Sequence, residues 1–318
     1  MIRIMFRNPG LLLLLLLCGP VWGQETDKAV ADPGADVQVK PDPPDDSLVI
    51  DRIEREQAVD DNRSVLLSHR RNYFLPVTWA HNPNDTPFTN AGIDNGSSLD
   101  NFEAQFQISL KLPIASGILS ENDAIFGGFT LRAFWQVYNT DISAPFRESN
   151  YEPEIFWVMP VPWKILGGDA ALVTLGLSHQ SNGRSQPLSR SWNRIYGGLV
   201  WERWRYVFHF KTWWRIPEDE KLDPLDADGD DNPDIEDYMG NFEFTVVYRN
   251  FDQEVSVLLR NNFDQDDNRG ALQLDWTFPL EGRYRGYLQL FSGYGESLID
   301  YDRYQERFGI GIKLTDWF

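Results

Sequence analysis

Between Glu103 and Leu112 every second residue is apolar: Ala104, Phe106, Ile108, Leu110 and Leu112 alternate with Glu103, Gln105, Gln107, Ser109 and Lys111. Period two over this length predicts a β-strand with one wet and one apolar face, long enough to cross a bilayer at a tilt. The pattern returns in Trp204, Tyr206, Phe208 and Phe210 against Arg205, His209 and Lys211. It returns again in Phe242, Phe244, Val246 and Tyr248 against Asn241, Glu243, Thr245 and Arg249, and in Phe308, Ile310, Ile312 and Leu314 against Gly309, Gly311, Lys313 and Thr315. Along the whole chain it predicts strands at 71–80, 102–112, 126–138, 151–161, 170–181, 191–202, 204–215, 239–250, 252–261, 270–280, 283–293 and 306–318. The turns between them are polar, many with Gly, Asn or Asp. A soluble β-sandwich alternates too, but the strand lengths, the even count, Trp and Tyr near strand ends and the terminal Phe318 favour lipid on the outside. The expected fold is all-β, a 12-stranded antiparallel transmembrane β-barrel, closed so that backbone N–H and C=O groups pair within the sheet.

The one long apolar run lies at the N-terminus, where Arg3 and Arg7 precede Leu11 to Leu17 and Val21-Trp22-Gly23 offers a cleavage site. Residues 1–23 are read as a signal peptide, since the run is too short to span about 30 Å of hydrocarbon. Leu17 is a poor neighbour for a lipidated cysteine, so Cys18 is taken to leave with the leader, and the mature chain then has no cysteine. Residues 24–65 are acidic and almost without aromatics, as in Asp42-Pro43-Pro44-Asp45-Asp46. That composition predicts a disordered periplasmic arm, with the barrel domain occupying 66–318. Asp and Glu number 48 against 29 Lys and Arg, a net charge of −19, which excludes a nucleic-acid partner. The lone cysteine excludes a disulfide framework and thiolate metal sites. A mean hydropathy of −0.42 excludes a bundle of membrane helices but not a barrel, whose apolar residues are dispersed by alternation.

One segment carries chemistry: Leu177-Ser178-His179-Gln180-Ser181-Asn182-Gly183-Arg184-Ser185, leading through Pro187 to Ser189-Arg190-Ser191-Trp192-Asn193-Arg194. Residues i and i+2 of a strand share a face, so His179 and Ser181 continue the face of Val173, Leu175 and Leu177 and point at lipid. In the next strand Asn193 is in phase with Ile195, Leu199 and Trp201, and a tight connection brings it beside His179. Polar side chains facing lipid are costly and signal function. Ser181 is a nucleophile once a base takes its proton, His179 is that base, and Asn193 is the third group that fixes the imidazole tautomer. A plain structural reading, hydrogen-bonding residues of an interfacial girdle, stays open at this point.

This block resembles the signature of the outer-membrane phospholipase A family, a detergent-resistant bacterial phospholipase. So do Pro145-Phe146-Arg147-Glu148-Ser149-Asn150-Tyr151-Glu152-Pro153, Asp231-Asn232-Pro233-Asp234-Ile235 and Ser292-Gly293-Tyr294-Gly295-Glu296-Ser297-Leu298-Ile299-Asp300-Tyr301, in the family's order over roughly residues 70 to 318. The resemblance implies a calcium-dependent enzyme of the outer membrane that hydrolyses acyl esters of phospholipids and lysophospholipids and is active as a homodimer. It assigns Ser181 as nucleophile, His179 as base and Asn193 as its orienter, with the Gly183 amide at the oxyanion. It implies Ca²⁺ ligands at the Arg184 carbonyl, Ser189, and Ser143 from the partner subunit, with Asp231 matching a carboxylate of a second, monomer-type site. The companion of Asp231 is Gln186 here, and Leu131 stands where the family buries an interface glutamine. Asp226-Ala227-Asp228-Gly229-Asp230, within an acidic stretch reaching Asp234, has the spacing of a calcium loop but also suits a solvated surface loop.

Two rivals remain from sequence, a passive barrel that is a channel or anchor, and a lipid A deacylase using the same ester chemistry. Twelve strands enclose a narrow lumen, so Glu103, Lys111, Arg132, Glu202, Arg205 and Arg249 are expected to form a packed polar network rather than a pore.

Overall fold

Alternation along the chain becomes a closed sheet in the computed structural model, which describes Ser47, Val49, Arg52 and residues 65–315 except 93–97, 169, 224, 282 and 283. The leader, most of the arm and Phe318 lie outside the described residues. A two-residue strand β1 (Leu67–Ser68) precedes twelve long ones: β2 (Asn72–His81), β3 (Phe102–Ser116), β4 (Ala124–Trp135), β5 (Phe146–Val161), β6 (Ala170–Ser181), β7 (Ser191–Arg203), β8 (Tyr206–Ile216), β9 (Phe242–Asn250), β10 (Gln253–Asn261), β11 (Gly270–Pro279), β12 (Arg285–Gly293) and β13 (Gln305–Thr315). Each pairs antiparallel with its sequence neighbours, and β13 pairs with β2, so the twelve close into a barrel. β1 adds only a short pairing on β3, Leu67 opposite Lys111. One end has short connections (117–123, 162–169, 204–205, 251–252 and 280–284), and the other has long loops (82–101, 136–145, 182–190, 217–241, 262–269 and 294–304). Short turns mark the periplasmic end of such barrels and long loops the outer end.

Expected and observed strands differ where local pattern misleads. β5 begins at Phe146 because a bulge pairs Trp135 with Phe146 and Phe134 with Glu148, so Arg147 and Glu148 are both buried and break the alternation. The strand expected from 239 starts at Phe242, because Ile235–Met239 form a one-turn helix with Ile235 and Met239 buried. Trp204 sits in a turn at positive φ rather than in a strand. Arg205 is there too, its guanidinium on Asn250 and over the Phe251 ring, so it is not part of the lumen.

The other inward charges do form a network. Glu103 takes Arg147 and Arg307, at 3.1 and 2.6 Å, and Arg307 reaches Glu296 at 2.7 Å. Lower down, Arg70 spans Glu152 and Glu154, at 2.7 and 2.8 Å, and Arg71 joins Asp275 to Glu254, which also takes Lys313. A cavity of about 380 Å³ remains among these groups. Chain segments fold inward at both ends. At the outer end Leu298, Ile299 and Asp300 of the 294–304 loop are buried, with backbone N–H groups on Asn150 and Glu148. At the periplasmic end, within the stretch expected to be a disordered arm, Ser47 Oγ and the Val49 N–H both donate to Glu202. Val49 is fully buried against Leu172, Val200, Val207 and Val247. The alternating valines and leucine of the inner wall are what receive it, a match that the arm's average composition hides.

Candidate active site

β6 and β7 place the chemistry. Their register sets His179 directly opposite Asn193 and Ser181 opposite Ser191, at the end with the long loops. Leu175, Leu177 and Ile195, on the same face, are exposed on the barrel's outside, while Ser178 and Arg194, between them, are buried inside. His179 and Ser181 therefore face outward on adjacent pleats, as the period-two pattern predicts. His179 Nδ1 lies 2.8 Å from Asn193 Oδ1. An amide oxygen only accepts, so the bond requires a proton on Nδ1 and leaves Nε2 with its lone pair in the neutral ring. Among the described residues no hydrogen bond joins Ser181 Oγ to the ring.

The loop 182–190 is folded around one buried side chain. Asn182 Oδ1 accepts from the N–H groups of Arg184 and Arg190, and its Nδ2 donates to the Leu188 carbonyl at 2.8 Å. A backbone bond from the Asn182 N–H to the Arg190 carbonyl closes the loop's base. Gly183 follows at φ +64°, and a Cβ there would also meet the Tyr151 ring at 3.3 Å, so the turn needs glycine. Among the described residues nothing accepts a hydrogen bond from the Gly183 N–H, which sits exposed two residues past Ser181. The Arg184 guanidinium turns away, onto the Phe146 and Arg147 carbonyls, which keeps its charge off the loop's outer face.

The oxygens expected to hold a hard cation divide into two sets. Ser189 Oγ donates its proton to Asp231 Oδ2 at 2.6 Å, which leaves the hydroxyl's lone pairs to face a metal. With the Arg184 carbonyl this makes an all-oxygen donor pair of the kind Ca²⁺ takes, so these residues fit. Asp231, expected at a second site, is engaged by side chains in this structure. Its Oδ1 already accepts from Gln186 Nε2 at 2.7 Å and from the Lys221 ammonium at 2.5 Å. Burial works to raise its pKa, yet the bonds from Lys221, Ser189 and Gln186 hold it below the usual carboxylate value. Lys221 supplies there the positive charge that a metal would bring. The rest of the acidic loop is spread among separate partners: Asp230 on Arg215, Asp234 under the Tyr301 hydroxyl, and Asp226 capping the Asp223 N–H. Among the described residues no three His, Cys, Asp or Glu side chains gather in a metal-holding group. The calcium-like spacing of Asp226, Asp228 and Asp230 thus resolves into a hydrogen-bonded surface loop.

The profile of the phospholipase A1 family matches residues 49–314. The chain belongs to the phospholipase A1 family. Phospholipase A1 of Klebsiella pneumoniae is 34% identical over 81% of this chain and 85% of its own length. That of Escherichia coli K12 is 37% identical over 68% of this chain and 71% of its own. The barrel superposes on outer membrane phospholipase A from Escherichia coli with a TM-score of 0.72 at 34% identity, covering 80% of this chain and all of that one. It also matches, at a TM-score of 0.72, the Salmonella typhi outer membrane phospholipase dimer with bound calcium, covering 81% of this chain and 94% of that one. The protein is a phospholipase of the bacterial outer membrane.

Within this phospholipase Ser143 is the one expected site residue set apart. It lies exposed in the 136–145 loop at φ +63°, with no hydrogen bond to the 182–190 loop among the described residues. Leu131 faces outward on β4, opposite Ile108 and Tyr151, and Tyr151 is opposite Ser181. Leu131 and Ser181 thus lie in one outward row of paired residues. Sequence reasoning missed three residues that the fold brings in: Asn182 inside the loop, Lys221 on Asp231, and Glu218 on Asn193. Only Asn182 left a legible signal, as the residue after Ser181 in the quoted block.

Proposed function

We propose that this protein is a calcium-dependent phospholipase A that hydrolyses acyl esters of phospholipids and lysophospholipids with Ser181 as nucleophile. The observation that carries the reading is the 2.8 Å bond from His179 Nδ1 to Asn193 Oδ1, on the lipid-facing wall beside Ser181. Phospholipid reaches such a site by lateral diffusion in the membrane plane, without a pocket. Ser181 Oγ attacks the ester carbonyl as His179 Nε2 takes its proton, and the resulting imidazolium is held by Asn193 through Nδ1. The Gly183 N–H donates to the oxyanion. The carbon–oxygen bond then breaks, and the proton on Nε2 goes to the departing alcohol oxygen. Water, deprotonated by the same nitrogen, releases the fatty acid and restores Ser181. Calcium would be held by the Arg184 carbonyl, Ser189 and Ser143 of the partner subunit, and would supply positive charge that stabilises the oxyanion. Either acyl chain of a phospholipid, or the single chain of a lysophospholipid, offers the same ester at the same depth. The reading therefore includes A1, A2 and lysophospholipase activity in a calcium-dependent homodimer.

Fatty-acid release from phospholipid–detergent micelles tests this, comparing wild type with Ser181→Ala, each with calcium and with a chelator. The expected outcome is loss of about 10³-fold or more in the variant, the scale of a lost triad nucleophile, and loss in the chelated wild type as well. Activity that survives Ser181→Ala overturns the nucleophile.

A further inference from the structure

We propose that Glu218 is a positioning residue for the triad: it pins the Asn193 amide and adds behind it the negative charge that a neutral asparagine lacks. The proposal rests on the reading of Ser181, His179 and Asn193 as a triad.

The strand register brings Glu218 there. Asn193 on β7 is directly opposite Ile216, the last residue of β8. Trp214, two positions earlier, is exposed on the outer wall, so Ile216 and then Glu218 are the next outward positions beyond it. Pro217 between them has its φ fixed by the ring and no N–H to pair, which stiffens the exit from the strand. Asn193 Nδ2 donates to Glu218 Oε1 at 3.0 Å while its Oδ1 accepts from His179 at 2.8 Å. Among the described residues this is the single hydrogen bond or ion pair of the Glu218 carboxylate. Arg215 and Lys221, the two nearest cations along the chain, are committed to Asp230 and Asp231.

The chemistry follows from the two ends of an amide. Carboxamide oxygen and nitrogen are nearly the same shape, so an unheld Asn193 can turn over and present its NH₂ to the imidazole. That orientation suits the opposite tautomer, with Nε2 protonated and unable to serve as base. A carboxylate only accepts, so it can face only Nδ2, and one face of Asn193 is thereby assigned. When Nε2 takes the serine proton, the positive charge on the ring also meets a full negative charge one amide away. In an aspartate triad the third residue supplies both effects; here they are split between Asn193 and Glu218.

The test measures kcat and KM for fatty-acid release by the whole protein in calcium-loaded micelles. Glu218→Gln keeps an acceptor and loses the charge; Glu218→Ala loses both. We expect kcat to fall about threefold in the first and about tenfold in the second, with KM moved less than about twofold. In an Asn193→Ala background, whose residual rate is measurable, Glu218→Ala should cost less than about twofold, because there is no amide left to hold. Three results overturn the proposal: kcat unchanged in Glu218→Ala, a loss confined to KM, or an equal loss with and without Asn193. The last would mean that the loop, not the amide, was disturbed. If Ser181→Ala is inactive while Glu218→Ala matches wild type, this inference fails alone. If Ser181→Ala is active, the triad reading fails with it.

Discussion

At the scale of single residues, the site depends on hydrogen bonds whose direction is forced. Asn193 is neutral, so it orients His179 without the electrostatic help of a carboxylate; Asn193→Ala should lower kcat about 10- to 100-fold, less than Ser181→Ala. Steady-state rates of the two variants in the same micelles check the order. Asp231 gives a pH dependence with a definite sign. Its bonds to Lys221, Ser189 and Gln186 hold its pKa below the unfolded value. A depressed carboxylate contributes stability that is present above the ordinary Asp value of about 4 and is lost as pH falls through the lower, folded one. The Ser189–Asp231–Lys221 cluster therefore persists through neutral and mildly acid conditions and opens only beneath that range. In Asp231→Asn, Ser189 loses its charged acceptor at every pH, so the calcium concentration for half-maximal activity should rise, a calcium titration at neutral pH being the check. Of these residues His179, Ser181 and Asn193 were legible in the sequence because period two fixes which way a strand residue points. Lys221 and Glu218 were not, because both act from a 25-residue loop whose path no periodicity governs.

At the scale of elements, the loop 182–190 is ordered from inside by Asn182, whose amide holds both strands of the turn. Asn182→Ala leaves the Arg184 and Arg190 N–H groups and the Leu188 carbonyl short of a partner. Each buried group so stranded costs about 1–3 kcal/mol, against a loop with little other internal bonding. We expect the Gly183 N–H and the Arg184 carbonyl to lose their fixed positions, lowering kcat and weakening the calcium response together, while the barrel's thermal unfolding in detergent changes little. Intact kinetics in this variant would show that the loop is held from elsewhere. Most strands were readable to within a few residues. They misled where a bulge or a helical turn breaks the alternation. At β5 the bulge at Trp135 and Phe146 turns Arg147 and Glu148 to the same side, and at 235–239 two inward apolar residues belong to a helical turn. Of the expected arm only a few residues are described, and among them Val49 is held in one apolar niche that average composition does not reveal.

At the scale of the molecule, an ionic network crosses the barrel's interior, and the proposed site lies on its outside. Glu103, Arg147, Arg307, Glu296 and Asp300 tie four segments together across the lumen. Removing one member strands the others as uncompensated charge, so Arg147→Ala should destabilise by about 3–5 kcal/mol. Denaturation midpoints read from band shifts of the folded barrel check it. The proposed site lies on the outer wall, and the proposed calcium-dependent dimer would be governed there. Ile108, Leu131, Tyr151 and Ser181 form one row of paired residues across adjacent strands. In lipid, apolar contact between such rows gains little, since hydrocarbon chains serve leucine equally well. On the proposed reading association would draw on something the monomer lacks, and a calcium ion held by Ser189 and Arg184 of one subunit with Ser143 of the partner subunit would have that property. The arrangement can be tested by complementation. A Ser143→Ala protomer keeps its nucleophile but cannot complete its partner's calcium site; a Ser181→Ala protomer keeps Ser143 but has no nucleophile. Each variant alone should be nearly inactive. Mixed in micelles with calcium, they form heterodimers in which the intact Ser181 of one faces the intact Ser143 of the other, and fatty-acid release should return. Equal mixing gives about half heterodimers with one working site in two, so roughly a quarter of wild-type activity is expected if association is random. No recovery at any ratio, with heterodimers verified by crosslinking, would mean that Ser143 acts within its own subunit or not at all.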